Sequence, residues 1–198
     1  SDFAYGEQVA PVHIGDRAPK CPVCGRSVGM LPWLEPHRVK LSSANPKKWG
    51  DFLWGPDVAP MVSDRFQEIY KQEGLRGITH FHPPAEIVQA GKRKITDLAV
   101  KPPSYRLIDI IWGGAAVDLE ASGIRTKRPA TCDFCRYGDI LLEQQRTVLE
   151  AGSWTGEDIF MPRGGGQILV SERFRHVIED HGLRNALLVP LEQYNYVY

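Results

Sequence analysis

The chain has no charge of either sign in excess: 24 Lys and Arg face 24 Asp and Glu over 198 residues. That balance leaves no global field drawing it to nucleic acid or to an anionic membrane. The nearest candidate for a basic patch, Lys92-Arg93-Lys94, is short and reads as a solvated strand end. Long apolar runs are missing too, and with them any membrane span of about 20 residues. The first residues have neither the basic n-region nor the apolar h-region of an export signal, so the chain is expected in the cytoplasm. Cysteine is scarce, and all four copies sit in Cys-x-x-Cys pairs. Without an export signal, that usage favours metal thiolates over structural disulfides. No Ser/His/Asp, Cys/His or paired-carboxylate constellation can be read from the sequence, and no enzymatic activity is expected. Gly164-Gly165-Gly166 is followed by no Lys-Ser/Thr, so it reads as a flexible turn rather than a phosphate cradle. It aligns with Gly55-Pro56-Asp57.

What the chain does have is a copy of itself. The first copy reads Cys21-Pro-Val-Cys24, Trp49-Gly-Asp-Phe-Leu53, Val62-Ser-Asp-Arg-Phe66 and Gly74-Leu75-Arg76-Gly77. The second reads Cys132-Asp-Phe-Cys135, Trp154-Thr-Gly-Glu-Asp-Ile-Phe160, Val170-Ser-Glu-Arg-Phe174 and Gly182-Leu183-Arg184-Asn185. The order is kept and the spacing nearly so. A repeat this long implies two related half-modules rather than a solenoid of short units. The expected architecture is α+β: two pseudo-repeated half-modules, mostly antiparallel strands with one short helix each, joined around a zinc knuckle pair. One compact domain over 1–198 is expected, with halves at about 8–83 and 126–194 and a β-rich insert at about 84–125.

Local patterns place the elements. In the first copy, Ser63 can cap a helix whose apolar stripe is Phe66, Ile69 and Tyr70, with Gly74 as the left-handed stop. Ser171, the stripe Phe174, Val177 and Ile178, and Gly182 repeat the arrangement. Asp64 and Glu172 follow the caps, which suits the helix dipole. His176 and His181 fall on the polar face of the second helix. Strands are expected at 8–14, 37–42, 78–81, 106–112, 146–149 and 186–189. Gly113-Gly114 reads as a hairpin turn returning through 116–119.

Two pairs of thiols from two equivalent knuckles are what one tetrahedral zinc requires. Cys21, Cys24, Cys132 and Cys135 are the expected ligands of one structural zinc per chain. Pro22 and Gly25 suit the tight turn such a knuckle needs. Reduced cysteines without metal, disulfides, or separate sites that borrow a histidine are the alternatives. His80 and His82 share one face of a strand and form a second candidate pair, with a surface or turn-proximal location as the plainer reading. Trp49 and Trp154 occupy equivalent places and are expected in the core. Trp33 and Trp54 have no counterparts and lie among prolines (Pro32, Pro36, Pro56), which makes them candidate anchors for a protein partner.

The Cys21-Pro-Val-Cys24-Gly25 motif, the second Cys-x-x-Cys and the Val-Ser-Glu-Arg-Phe helix followed by Gly-Leu resemble the double-CXXCG motif proteins, a bacterial family. At the second knuckle Arg136 stands where the family has glycine. Some members are immunity proteins against polymorphic toxins. The closing stretch, from Val170-Ser-Glu-Arg-Phe174 through Gly182-Leu183 to Val189-Pro190-Leu191, resembles the ends of related immunity domains. The resemblance implies a cytoplasmic protein that binds and neutralises a cognate protein toxin, with a structural zinc and no active site. No membrane and no nucleic acid is expected as partner, and the internal repeat favours a monomer when free. A zinc-ribbon nucleic-acid binder and an enzyme centred on His80 and His82 are the competing functions.

Overall fold

The computed structural model describes residues 3–29, 31–54 and 60–197. It is α+β: short strands in five small sheets, with two helices of nine residues each, α1 (Asp64–Gln72) and α2 (Glu172–Asp180). Both helices begin as their sequences predict. The Ser63 hydroxyl accepts the Phe66 amide and the Ser171 hydroxyl accepts the Phe174 amide, each at 3.1 Å. Both stop at a glycine in the left-handed region, Gly74 at φ 60° and Gly182 at φ 57°. Their apolar stripes face one another in a single core, where Phe66 and Phe174 lie 6.1 Å apart between ring centres. No helix among the described residues is long and apolar enough to cross a membrane.

Strand Met61–Ser63 runs into α1, and strand Leu169–Val170 stops one residue short of α2 at its cap, Ser171. Met61–Ser63 pairs antiparallel with Phe52–Leu53 on one side and with Tyr105–Ile110 on the other. Tyr105–Ile110 in turn pairs with Ile78–Pro84. Leu169–Val170 pairs with Ile159–Arg163, which pairs parallel with Trp112–Ala116. A second core under the first sheet holds Trp33, Trp49, Leu53, Met61 and Tyr105.

The structure departs from the sequence pattern in several places. Gly113 and Gly114 are not a hairpin turn but lie inside strand Trp112–Ala116. A Cβ on Gly114 would stand 3.0 Å from Cβ of Phe160, so glycine there lets two strands approach. Residues 8–14 form two pieces, Gly6–Gln8 and His13–Ile14, divided around Pro11, which has no amide to donate. The expected strand at 146–149 reduces to one bridge between Val117 and Leu149. Its backbone turns back on Ser122, whose hydroxyl accepts the Val148 amide, and the regular strand lies earlier, at Leu141–Gln144. Residues 186–189 form no regular element and pair with no strand. The 37–42 and 78–81 expectations appear as Arg38–Leu41 and Ile78–Pro84.

Candidate metal centre

The four cysteines, 111 residues apart in cross-pairs, converge. The Sγ atoms of Cys21 and Cys132 are 4.0 Å apart and those of Cys24 and Cys135 are 3.7 Å apart. All four sulfurs lie within 4.8 Å of one another. A tetrahedron with metal–sulfur bonds of about 2.3 Å has sulfur–sulfur edges of about 3.8 Å. The quartet could therefore hold a metal ion. Cys21 and Cys135 are buried, Cys132 is half-buried and Cys24 is exposed. Val28, Trp112, Phe134 and Tyr137 pack around them.

Each pair sits on a tight turn closed by a backbone bond to its first cysteine: Gly25 donates to Cys21 O at 3.0 Å, and Arg136 donates to Cys132 O at 2.9 Å. Gly25 (φ 71°) and Arg136 (φ 57°) both take the left-handed conformation. The second knuckle thus keeps the glycine geometry without the glycine. A non-glycine residue there costs about 1–2 kcal/mol. The Arg136 side chain offsets part of that, bonding Val117 O at 3.1 Å and Glu150 at 2.6 Å. Arg26 ties the knuckles together, donating to Tyr137 O at 2.6 Å and Gly138 O at 2.7 Å.

The thiols are poised unequally. Burial pushes the Cys21 thiol up, but amides of Cys24 and Val23 and the thiols of Cys24 and Cys132 outweigh it and bring it down to about 7. The Cys135 amide leads in lowering Cys132, against the opposing effect of burial. Burial, with the neighbouring thiols of Cys132, Cys24 and Cys21, raises Cys135 to about 11. Amide donors thus favour thiolates that crowd one another, and a divalent cation is the group that lets all four ionise together.

A second constellation ties the molecule together. Asp51 and Asp158 are both buried. Asp51 accepts from the Ser63 hydroxyl (2.9 Å), from Arg65 (3.0 Å) and from the Arg184 amide (2.9 Å). Asp158 accepts from the Ser171 hydroxyl (2.8 Å), from Arg173 (3.2 Å) and from the Arg76 amide (2.9 Å). Arg65 also donates to His181 O, and Arg173 to Glu73 O. Each carboxylate is thus held by the cap and arginine of its own helix and by the backbone that follows the other helix. The residues were present in the two copied motifs. Nothing in a linear motif says that Asp51 will be buried against the backbone at Arg184, 133 residues away, or Asp158 against that at Arg76, 82 residues away.

The other candidates separate. Trp33 is 2% exposed, packed at 4.9 Å on the buried His37 ring, and offers no surface to a partner. Trp54 is 44% exposed. Trp49 is in the core, but Trp154 is 50% exposed. Two more residues separate Trp154 from Asp158 than separate Trp49 from Asp51, which carries its ring outward into a turn. His80 and His82 pack at 4.5 Å on the Tyr105–Ile110 sheet, and His82 meets Asp109 at 3.0 Å. The four thiols are the group found among the described residues that could hold a metal ion. His181 meets Glu73 across the helix pair at 3.0 Å. Gly164 turns as expected after Ile159–Arg163, while its aligned partner, Gly55-Pro56-Asp57, lies outside the described residues. No protein-family model matches the chain, and no curated protein matches it.

Proposed function

We propose that this chain is an immunity-type module that binds and neutralises a cognate bacterial protein toxin. In this reading, two related halves, about 8–83 and 126–194, are joined around one structural zinc held by Cys21, Cys24, Cys132 and Cys135. The matched bonds of Asp51 and Asp158 favour two equivalent halves. The sulfur spacing suits zinc, and a closed set of four thiolates leaves no open position for substrate. The zinc serves as a cross-link between knuckles far apart in sequence, and it acts on stability and surface shape rather than on chemistry.

The observation that carries the binding role is an exposed apolar surface on a cross-tied frame. Trp54, Leu187 and Val189 are exposed around a groove of about 850 Å³ whose floor is the shared helix core. A contiguous apolar surface rimmed by charge is a common mark of protein recognition. The resemblance of the Cys21–Gly25 motif and the Val170–Phe174 helix to the double-CXXCG proteins supports a toxin as the partner. The test is affinity purification of the tagged chain from its own cells, with mass spectrometry and an absorbance check for nucleic acid. A stoichiometric partner carrying a toxin domain is expected. Nucleic acid with no protein partner would overturn the proposal in favour of a zinc-ribbon binder.

A further inference from the structure

The two helices stand in unequal sheets. Ahead of α1, strand Met61–Ser63 has a neighbour, Tyr105–Ile110, and beyond it lies Ile78–Pro84. Ahead of α2, Leu169–Val170 is the edge of its sheet. Residues 186–189 stand where Ile78–Phe81 would stand in the other half, because the backbone just before them makes the same bonds. Arg76 O accepts the amides of Asp158 and Ile159, and Arg184 O accepts those of Asp51 and Phe52. Between Leu169–Val170 and residues 186–189 lies the apolar groove of about 850 Å³. It occupies the place that Tyr105–Ile110 fills in the first half.

The groove has the unsatisfied groups of a missing strand. Among the described residues, the amides and carbonyls of 186–189 make no hydrogen bond. The Asp64 amide donates to Ser104 O at the start of Tyr105–Ile110, whereas its counterpart, the Glu172 amide, has no partner among the described residues. At the far end, Gly77 O accepts the Ile111 amide that follows the strand. The equivalent Asn185 O accepts the Trp54 indole instead, so that ring closes the end of the groove. Leu187, 88% exposed, marks its open side.

We propose that this groove receives an extended strand from the protein partner, carrying a basic residue opposite Glu172. This rests on the two-half reading above. The filled half supplies the register: Tyr105, Arg106 and Leu107 face Ser63, Val62 and Met61, and Ile108, Asp109 and Ile110 face Phe81, His80 and Ile78. The incoming strand would face Ser171, Val170 and Leu169, then Val189, Leu188 and Ala186. Arg106 in the first half bonds the Asp64 carboxylate. The counterpart of Asp64, Glu172, is largely exposed at the rim and bonded by Arg175 at 2.8 Å; with Glu192 also lining the groove, two carboxylates face one arginine and the rim keeps a net negative charge. The groove therefore selects an apolar strand with a cation at its second position. Strand addition of this kind takes affinity from backbone bonds and specificity from side-chain positions. A second copy of the chain has no such strand to spare, because its own Tyr-Arg-Leu-Ile segment is already paired on both sides.

The probe is a labelled peptide of sequence Ser-Tyr-Arg-Leu-Ile-Asp-Ile-Ile, titrated against the full chain by fluorescence anisotropy. Saturable micromolar binding is expected. Val189→Asp, at a half-exposed position, should weaken it at least tenfold while melting as the parent does. Glu172→Arg should weaken it about tenfold, and a peptide with Glu in place of Arg should recover the loss on that variant. No binding at millimolar peptide, or binding indifferent to both substitutions, would overturn the proposal. A concentration-dependent dimer dissolved by the peptide would assign the groove to a second copy and overturn it equally. A toxin captured undiminished by Val189→Asp would sink the groove but keep the immunity role; peptide binding with no toxin captured would do the reverse.

Discussion

Replacing Asp51 with Asn tests whether the paired carboxylates hold the two helix regions together. Asp51 accepts on both oxygens: Oδ1 from the Ser63 hydroxyl, and Oδ2 from Arg65 and from the Arg184 amide. An asparagine has one carbonyl oxygen for these two directions. If that oxygen keeps the Arg184 amide, the NH2 group faces Ser63, whose hydroxyl already accepts the Phe66 amide and then loses its own acceptor. If it keeps Ser63, two donors face each other at Arg184. Either way a buried bond to a charged acceptor is lost, at about 1.5–3 kcal/mol, with a donor left unpaired. We expect Asp51→Asn to cost about 2–4 kcal/mol in all. At a slope near 2 kcal/mol per molar, the urea midpoint should fall by about 1–2 M. Arg65 is half-exposed, so Arg65→Ala should cost only about 0.5–1 kcal/mol after solvent screening. Asp158→Asn should match Asp51→Asn, because its acceptor set is the same. The assay is equilibrium urea unfolding followed by Trp fluorescence and circular dichroism. An Asp51→Asn cost no larger than that of Arg65→Ala would refute the reasoning.

Three further outcomes are expected. Trp33→Ala should cost about 3–5 kcal/mol in the same unfolding assay, as a fully buried aromatic does, while Trp54→Ala costs about 1 kcal/mol and instead lowers affinity for the partner. Gly77→Ala should destabilise by more than about 3 kcal/mol, because its Cβ would stand 1.8 Å from the Ile159 carbonyl oxygen at φ 116°; Gly152→Ala, with open space around it, should cost only about 1 kcal/mol. Burial first of all raises Tyr70, Tyr105 and Tyr137, so their phenols stay neutral in the folded chain where the unfolded chain ionises near pH 10. Their contribution is complete below that pH and is lost as pH rises above it; urea midpoints should fall from pH 9 to 11, and phenolate absorbance should rise together with unfolding.

The helices were legible because their signals are local. A serine cap, a stripe at i, i+3, i+4 and a stopping glycine lie within twelve residues, and both copies carry them. The thiol quartet was legible for a different reason: two Cys-x-x-Cys pairs together supply the four thiols that one tetrahedral site needs. Strand pairing was not, because a strand is defined by its neighbour. Residues 186–189 follow their helix and its glycine as Ile78–Phe81 does but have no strand partner, and Gly113-Gly114 looks like a turn until Phe160 is seen packed against it. The tryptophans failed on the same ground. Trp33 among prolines reads as a loop residue, yet it fills the core over His37. Trp154 shares a motif with Trp49, yet two extra residues put it outside. Asp51 and Asp158 sat inside the copied motifs, and only the fold shows them buried and bridging.

In the reading proposed above, one metal ion bridges Cys21, Cys24, Cys132 and Cys135 and holds the knuckles together. Native mass spectrometry of the purified chain, paired with elemental analysis, tests it most directly. The account predicts one zinc per chain, lost in Cys21→Ser together with a large fall in melting temperature. A folded, metal-free chain with four titratable thiols, melting no lower than the zinc-loaded sample, would contradict it.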